Sequence, residues 1–199
     1  MPWPSVLELA NAFRRGALRP SAVLGGVLDA LHPGATFRYV TADRARAQAA
    51  AADVRFDRGR PRGLLDGVPI ALKDLIDTAG DVTTVGSAAL AAIGTPARED
   101  ADVARALDAA GAVFVGKTTM TELAFSGLGL NQHAPVPVNV LDPLRVPGGS
   151  SSGSAVAVAR GEVAAAVGSD TGGSVRIPAL VSRDRCNSCG EGLGWRQPV

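Results

Sequence analysis

Apolar residues recur at helical intervals near the start of the chain. Val6, Leu9, Ala10 and Phe13 fall on one side of a 3.6-residue period. Ser5 and Glu8 stand at capping-box spacing before them, so a helix is predicted from Ser5, with Gly16 as its stop. A second helix is predicted over 21–31, with Val23, Leu24, Val27, Leu28 and Leu31 on one face and Pro33 ending it. Thr41 is placed to cap a third, alanine-rich helix that reaches about Phe56. Residues 57–67 are rich in Arg, Gly and Pro and read as a loop.

The period then shortens. Val68, Ile70 and Leu72 alternate with Pro69, Ala71 and Lys73, the pattern of a short strand with proline near its start. A helix over 100–110 carries Val103, Ala106, Leu107 and Ala110 on one side and ends at Gly111. A buried strand over 112–115 comes next, and another helix is predicted from Thr121. Residues 148–153 read as a Gly/Ser loop, 155–159 open a helix, and 163–167 form a buried strand entering a second glycine-rich turn. Strands separated by helices imply an α/β fold: a mixed, largely parallel sheet covered by helices, with a helical segment at the N-terminus. No internal repeat is visible. Residues 181–199 hold both cysteines and no periodicity, and receive no secondary structure.

Composition narrows the function classes. At 199 residues, 46% hydrophobic and 20% charged, the chain fits one soluble globular domain with a real core. A net charge of +1 and 4% aromatic residues give no electrostatic case for nucleic acid or an anionic membrane. No apolar run approaches the roughly 20 residues of a membrane span. The N-terminus lacks the order of a signal peptide, so the cytoplasm is the expected compartment.

Two Gly/Ser turns carry the candidate chemistry. Residues 147–154 read Pro-Gly-Gly-Ser-Ser-Ser-Gly-Ser, and 168–178 read Gly-Ser-Asp-Thr-Gly-Gly-Ser-Val-Arg-Ile-Pro. Each offers a hydroxyl on a glycine-rich backbone, where N–H groups can converge on a developing oxyanion. The hydroxyls need a base. Lys73 ends an apolar strand, where burial favours the neutral amine, and such an amine can draw a proton through one serine from the next.

Together with 67–74 (Gly-Val-Pro-Ile-Ala-Leu-Lys-Asp) and 116–124 (Gly-Lys-Thr-Thr-Met-Thr-Glu-Leu-Ala), these turns make the chain resemble the amidase signature family in motif order and in the spacing of the two serines. The resemblance implies Ser174 as the nucleophile that forms an acyl-enzyme. It implies Ser150 as the intermediate serine, with a cis peptide bond, and Lys73 as the base. It assigns the oxyanion hole to the backbone N–H groups of Thr171, Gly172, Gly173 and Ser174, with Asp170 and Arg176 bracing the turn. The implied activity is hydrolysis of a carboxamide to acid and ammonia or amine, without metal or organic cofactor. The implied partner is a small-molecule amide, and a homodimer is left open. Within the family, the alternative is the glutaminase-type A subunit of a tRNA-dependent amidotransferase. Outside enzymes, the alternative is a non-catalytic remnant.

The resemblance runs from about Ser5 to Ala179. Ser152 stands where the family commonly has glycine. After Ala179 the family continues with a Cys-Gly step and a Gly-Leu-Lys-Pro-Thr segment, whereas this chain runs Val-Ser-Arg-Asp-Arg-Cys over 181–186. The expectation is residues 1–180 as the N-terminal part of an amidase signature domain, a truncation or frame change near Leu180, and 181–199 as an unstructured tail.

Three rival motifs are weaker. Residues 111–118 match the phosphate-loop pattern letter for letter, but the segment between the glycines is itself a strand and leaves no cradle. Gly149 to Gly153 match a nucleophile elbow, which needs a downstream histidine; His32 and His133 both lie upstream and read as loop residues. Cys186 and Cys189 form a lone CxxC with no further zinc ligands nearby.

Overall fold

The computed structural model describes residues 4–182. Helices α1 (Val6–Arg14), α2 (Pro20–Ala30) and α3 (Ala42–Asp57) surround the start of a four-stranded sheet. The capping box forms: Ser5 N–H donates to Glu8 Oε2 at 2.7 Å, and Glu8 N–H donates to Ser5 Oγ at 3.3 Å. Leu9, Ala10 and Phe13 are buried, as their spacing predicts, and the Phe13 and Phe56 rings lie 5.9 Å apart. Fully buried Ala45, Ala49 and Ala52 give α3 a narrow face that packs closely on α2 and the sheet.

The strands are β1 (Phe37–Val40), β2 (Pro69–Lys73), β3 (Val113–Thr118) and β4 (Ala165–Val167), in spatial order β1-β3-β2-β4. β2 runs parallel to both β3 and β4, while β1 is antiparallel to β3. The sheet is therefore mixed, with parallel pairing at its centre. Every residue of β2 and β3 is buried, the condition of central strands covered on both faces. The remaining α-helices among the described residues are α4 (Ala88–Ile93), α5 (Asp102–Ala109), α6 (Ser152–Ala159) and α7 (Arg176–Val181). No described helix is long and apolar enough to cross a membrane.

Several elements depart from the sequence reading. The helix predicted from Thr121 is a single 3-10 turn, Glu122–Ala124. Leu123 and Ala124 take φ of +50° and +58°, a left-handed backbone that cannot continue a right-handed helix. The strand at 163–167 shrinks to three half-buried residues at one edge of the described sheet. β1 escapes the periodicity because only Phe37 of its four residues is fully buried. α4 escapes it because it buries no residue at all. The phosphate-loop match is strand β3, and His32 and His133 are exposed loop residues. Cys186, Cys189 and the tail from 183 lie outside the described residues.

The Gly/Ser segment also differs: α6 begins at Ser152, inside the predicted loop. Ser152 Oγ is buried there with no hydrogen-bond partner among the described residues. A buried hydroxyl without a partner loses its water bonds for nothing. Ser152→Ala is therefore expected to stabilise the protein by about 1 kcal/mol, read as a higher denaturation midpoint with unchanged slope.

Candidate functional site

Lys73 closes β2, and its side chain has no exposed surface. Register partners on paired strands share a face of the sheet. Lys73 lies opposite Thr118, and Leu72 lies opposite Lys117, so the two buried lysines point to opposite faces. Lys117 Nζ donates to the Ile76 carbonyl and to Thr83 Oγ1, tying the segment after β2 to the sheet. Lys73 shares its face with α6, where Thr118 Oγ1 and Ser154 Oγ are 2.7 Å apart.

The Lys73 amine meets hydroxyls. Nζ donates to Ser150 Oγ at 2.7 Å and to Ser169 Oγ at 2.8 Å. Burial pushes its pKa down to about 8, against the opposing attraction of Asp170. A substantial neutral fraction near pH 8 suits an amine that must accept a proton.

Ser150 is fully buried and comes after a cis Gly149–Ser150 peptide bond. Its carbonyl accepts the Thr121 N–H at 3.1 Å. Gly148 and Gly149 N–H groups donate to the Leu128 and Gly127 carbonyls at 3.1 and 2.8 Å, which docks residues 127–129 against the turn. A Cβ on Gly149 would lie 2.7 Å from Gly129 N, so the glycine here answers a close approach of two backbones.

The second turn leaves β4 at Gly168. Ser151 joins the two turns: its N–H donates to the Ser174 carbonyl at 3.1 Å, and its Oγ exchanges hydrogen bonds of 3.4 Å with the backbone N–H and C=O of Ser169. Asp170 organises the rest of the second turn. It accepts the N–H groups of Gly173, Val175 and Arg176 at 2.7, 3.2 and 3.1 Å, and the Arg176 guanidinium through two 3.0 Å bonds. That guanidinium, with the backbone N–H groups, holds the Asp170 carboxyl well below the usual carboxylate range.

The site residues expected from sequence are thus brought together unequally. Lys73 and Ser150 touch. Ser174 is half-buried in the adjoining turn, and no hydrogen bond joins its Oγ to Ser150 Oγ. Among the four expected oxyanion donors, the Gly173 N–H is already bonded to Asp170. The N–H groups of Thr171, Gly172 and Ser174 make no hydrogen bond within the described residues. Ser169 escapes sequence reasoning, although it stands inside the second motif. Its nearness to Lys73 depends on the β2–β4 register, in which Leu72 faces Val167, and register is not written in a single sequence. Among the described residues no group of three or more His, Cys, Asp or Glu side chains could hold a metal ion.

Known proteins supply the family. The family model described as Amidase matches residues 28–183. The A subunit of the glutamyl-tRNA(Gln) amidotransferase of Chloroflexus aurantiacus is 51% identical over 145 residues, covering 73% of this chain and 29% of that protein. The native peptide amidase of Stenotrophomonas maltophilia superposes with a TM-score of 0.80 at 33% identity, over 89% of this chain and 38% of that one. A bacterial aryl acylamidase of the amidase signature family gives 0.80 at 32% identity, over 89% of this chain and 38% of that one. The chain thus spans less than a third of the curated relative's length. The family model covers well over half of the chain and includes Lys73 and both Gly/Ser turns, and the chain belongs to the amidase signature family.

Proposed function

We propose that this chain carries the catalytic serines and lysine of an amidase that cleaves a carboxamide through an acyl-enzyme. The observation that carries the reading is the buried contact between Lys73 Nζ and Ser150 Oγ, one backbone hydrogen bond away from the turn that holds Ser174. The neutral Lys73 amine takes the Ser150 proton while Ser150 takes that of Ser174. Ser174 Oγ bonds to the carbonyl carbon, whose oxygen becomes an anion. The open N–H groups of Thr171, Gly172 and Ser174 suit that anion. Lys73 returns its proton through Ser150 to the leaving nitrogen, the C–N bond breaks, and water releases the acid by the same path. The Ser150–Ser174 step needs those hydroxyls to close up, and catalytic hydrogen bonds commonly tighten only in the substrate complex. Asp170, with Arg176, braces the turn.

An acyl-enzyme gives itself away by partitioning. Small carboxamides with hydroxylamine present should yield hydroxamate beside free acid, and Ser174→Ala should abolish both. The rate should rise tenfold per pH unit below about 8 and level off above it, because only the deprotonated amine is competent. A protein that forms neither ammonia nor hydroxamate from a broad amide panel would sink the reading in favour of a non-catalytic remnant. A second reading, the glutaminase-type subunit of a tRNA-dependent amidotransferase, is compatible with the 51% identity to such a subunit. It predicts glutamine as the productive amide.

A further inference from the structure

We infer that Ser169 is a positioning residue for the base, its hydroxyl holding the Lys73 amine in the orientation that presents nitrogen to Ser150. The inference rests on the amidase reading above and names a part that reading does not use. A neutral amine has two N–H donors and one lone pair. To take a proton from Ser150, the lone pair must face Ser150 Oγ, so the N–H bonds must be directed elsewhere. Ser169 Oγ, 2.8 Å from Nζ, is the other hydroxyl in contact with the amine and accepts one of them. A lysine stem is flexible, and one contact to Ser150 would leave the amine free to swivel about it. Two hydroxyls on different segments fix it.

Ser169 is itself fixed. Its backbone is bonded on both sides to Ser151 Oγ, and Ser151 N–H is bonded to the carbonyl of Ser174. Gly168 before it lies so close to Ser151 that a Cβ there would sit 2.7 Å from Ser151 Oγ. The anchor of the amine and the turn of the nucleophile are thus one braced unit. Ser169 transfers no proton, and no bond to it forms or breaks.

The charges that reach the amine are few. Asp170 comes directly after Ser169 and is engaged with Arg176; Lys117 on β3 points to the other face; β4 and α6 carry no ionisable side chain. A hydroxyl accepting from an ammonium group favours the charged form. Losing Ser169 should therefore do two separable things. It should lower the rate at high pH, and it should move the acid limb of the pH profile to lower pH. Simple loosening of the turn would lower the rate and leave the limb where it was.

The test uses the full chain and a fluorophosphonate probe, with the labelling rate measured against pH. Ser169→Ala should label roughly tenfold to a hundredfold more slowly on the plateau, the range of one hydrogen bond to the ammonium that forms as Lys73 takes the proton. Its acid limb should move down, and Ser169→Thr, which keeps the hydroxyl, should restore both. Should Ser169→Ala fail to fold, Ser169→Cys keeps the volume with a poor acceptor and serves instead. A parallel NMR titration of the Lys73 side chain needs no turnover and should show the same downward shift. Wild-type labelling and an unmoved Lys73 titration in Ser169→Ala would overturn the inference. Absence of labelling in the wild type would sink the amidase reading alone, leaving the titration to decide on Ser169.

Discussion

Lys73→Met should reduce acylation of Ser174 by about 10^4-fold or more while leaving the protein folded. The size comes from how relays work: groups that act as a unit fail together, so losing the base costs nearly as much as losing the nucleophile. The survival of the fold comes from burial. Lys73 has no exposed surface and no carboxylate in ion-pair contact among the described residues, so its amine is desolvated with only two hydroxyls in return. Methionine has similar length and fills the space without a polar end. The loss is then confined to hydroxyls left without a partner, about 2 kcal/mol or less. A dead protein that still unfolds cooperatively, with its midpoint lowered by no more than that loss implies, is the expected result. An unfolded one would assign Lys73 to the scaffold, and an active one would remove it from the relay.

Gly153→Ala should destabilise the protein by about 3 kcal/mol, a fall of roughly 10 °C in Tm. Gly153 sits in the first turn of α6, where its N–H donates to the Thr119 carbonyl at 3.0 Å. A Cβ there would lie 2.5 Å from the Thr36 carbonyl oxygen and 2.6 Å from Thr119 N. Both are backbone atoms, and Thr119 is held by β3 just before it, so neither can yield cheaply. The substitution pushes α6 away from the sheet and carries Ser150 with it. Gly172→Ala is the control: nothing lies within 4 Å of the added carbon, and stability should change by less than about 0.5 kcal/mol. Equal effects at the two positions, read by thermal unfolding, would mean that α6 docks loosely.

What can be read from the sequence divides along physical lines. α1, α2 and α5 are legible because each carries apolar residues on one face, and α1 adds a complete capping box. α3 is legible as an alanine-rich run, but Thr41 does not cap it: its Oγ1 donates to the Phe114 carbonyl at 2.9 Å instead. β2 is legible from its alternation, and Lys73 stands out as a charge at the end of an apolar run. The helix predicted from Thr121 fails because the backbone at Leu123 and Ala124 takes a left-handed conformation that a capping-type residue before it does not reveal. Thr121 Oγ1 makes no hydrogen bond among the described residues. The start of α6 is hidden because Gly and Ser signal loops in general. Here Gly153 is required by close packing against Thr36 and Thr119. The motifs name Lys73, Ser150 and Ser174 through a family resemblance, but not what lies between them. The role of Ser151 as a tie between the turns, the engagement of the Gly173 N–H by Asp170 and the contact of Ser169 with the amine all depend on the β2–β4 register and the folding of two turns together.

An uncharged buried amine that activates one particular serine at a distance, through another, is the centre of the proposed chemistry. Mass-spectrometric mapping of the fluorophosphonate adduct, in the wild type and in Lys73→Met across roughly pH 6 to 10, tests this most directly. The adduct should sit on Ser174, form faster as pH rises to about 8, and be lost in Lys73→Met. An adduct on Ser174 that forms at the same rate without Lys73, or one that maps to a different serine, would contradict it.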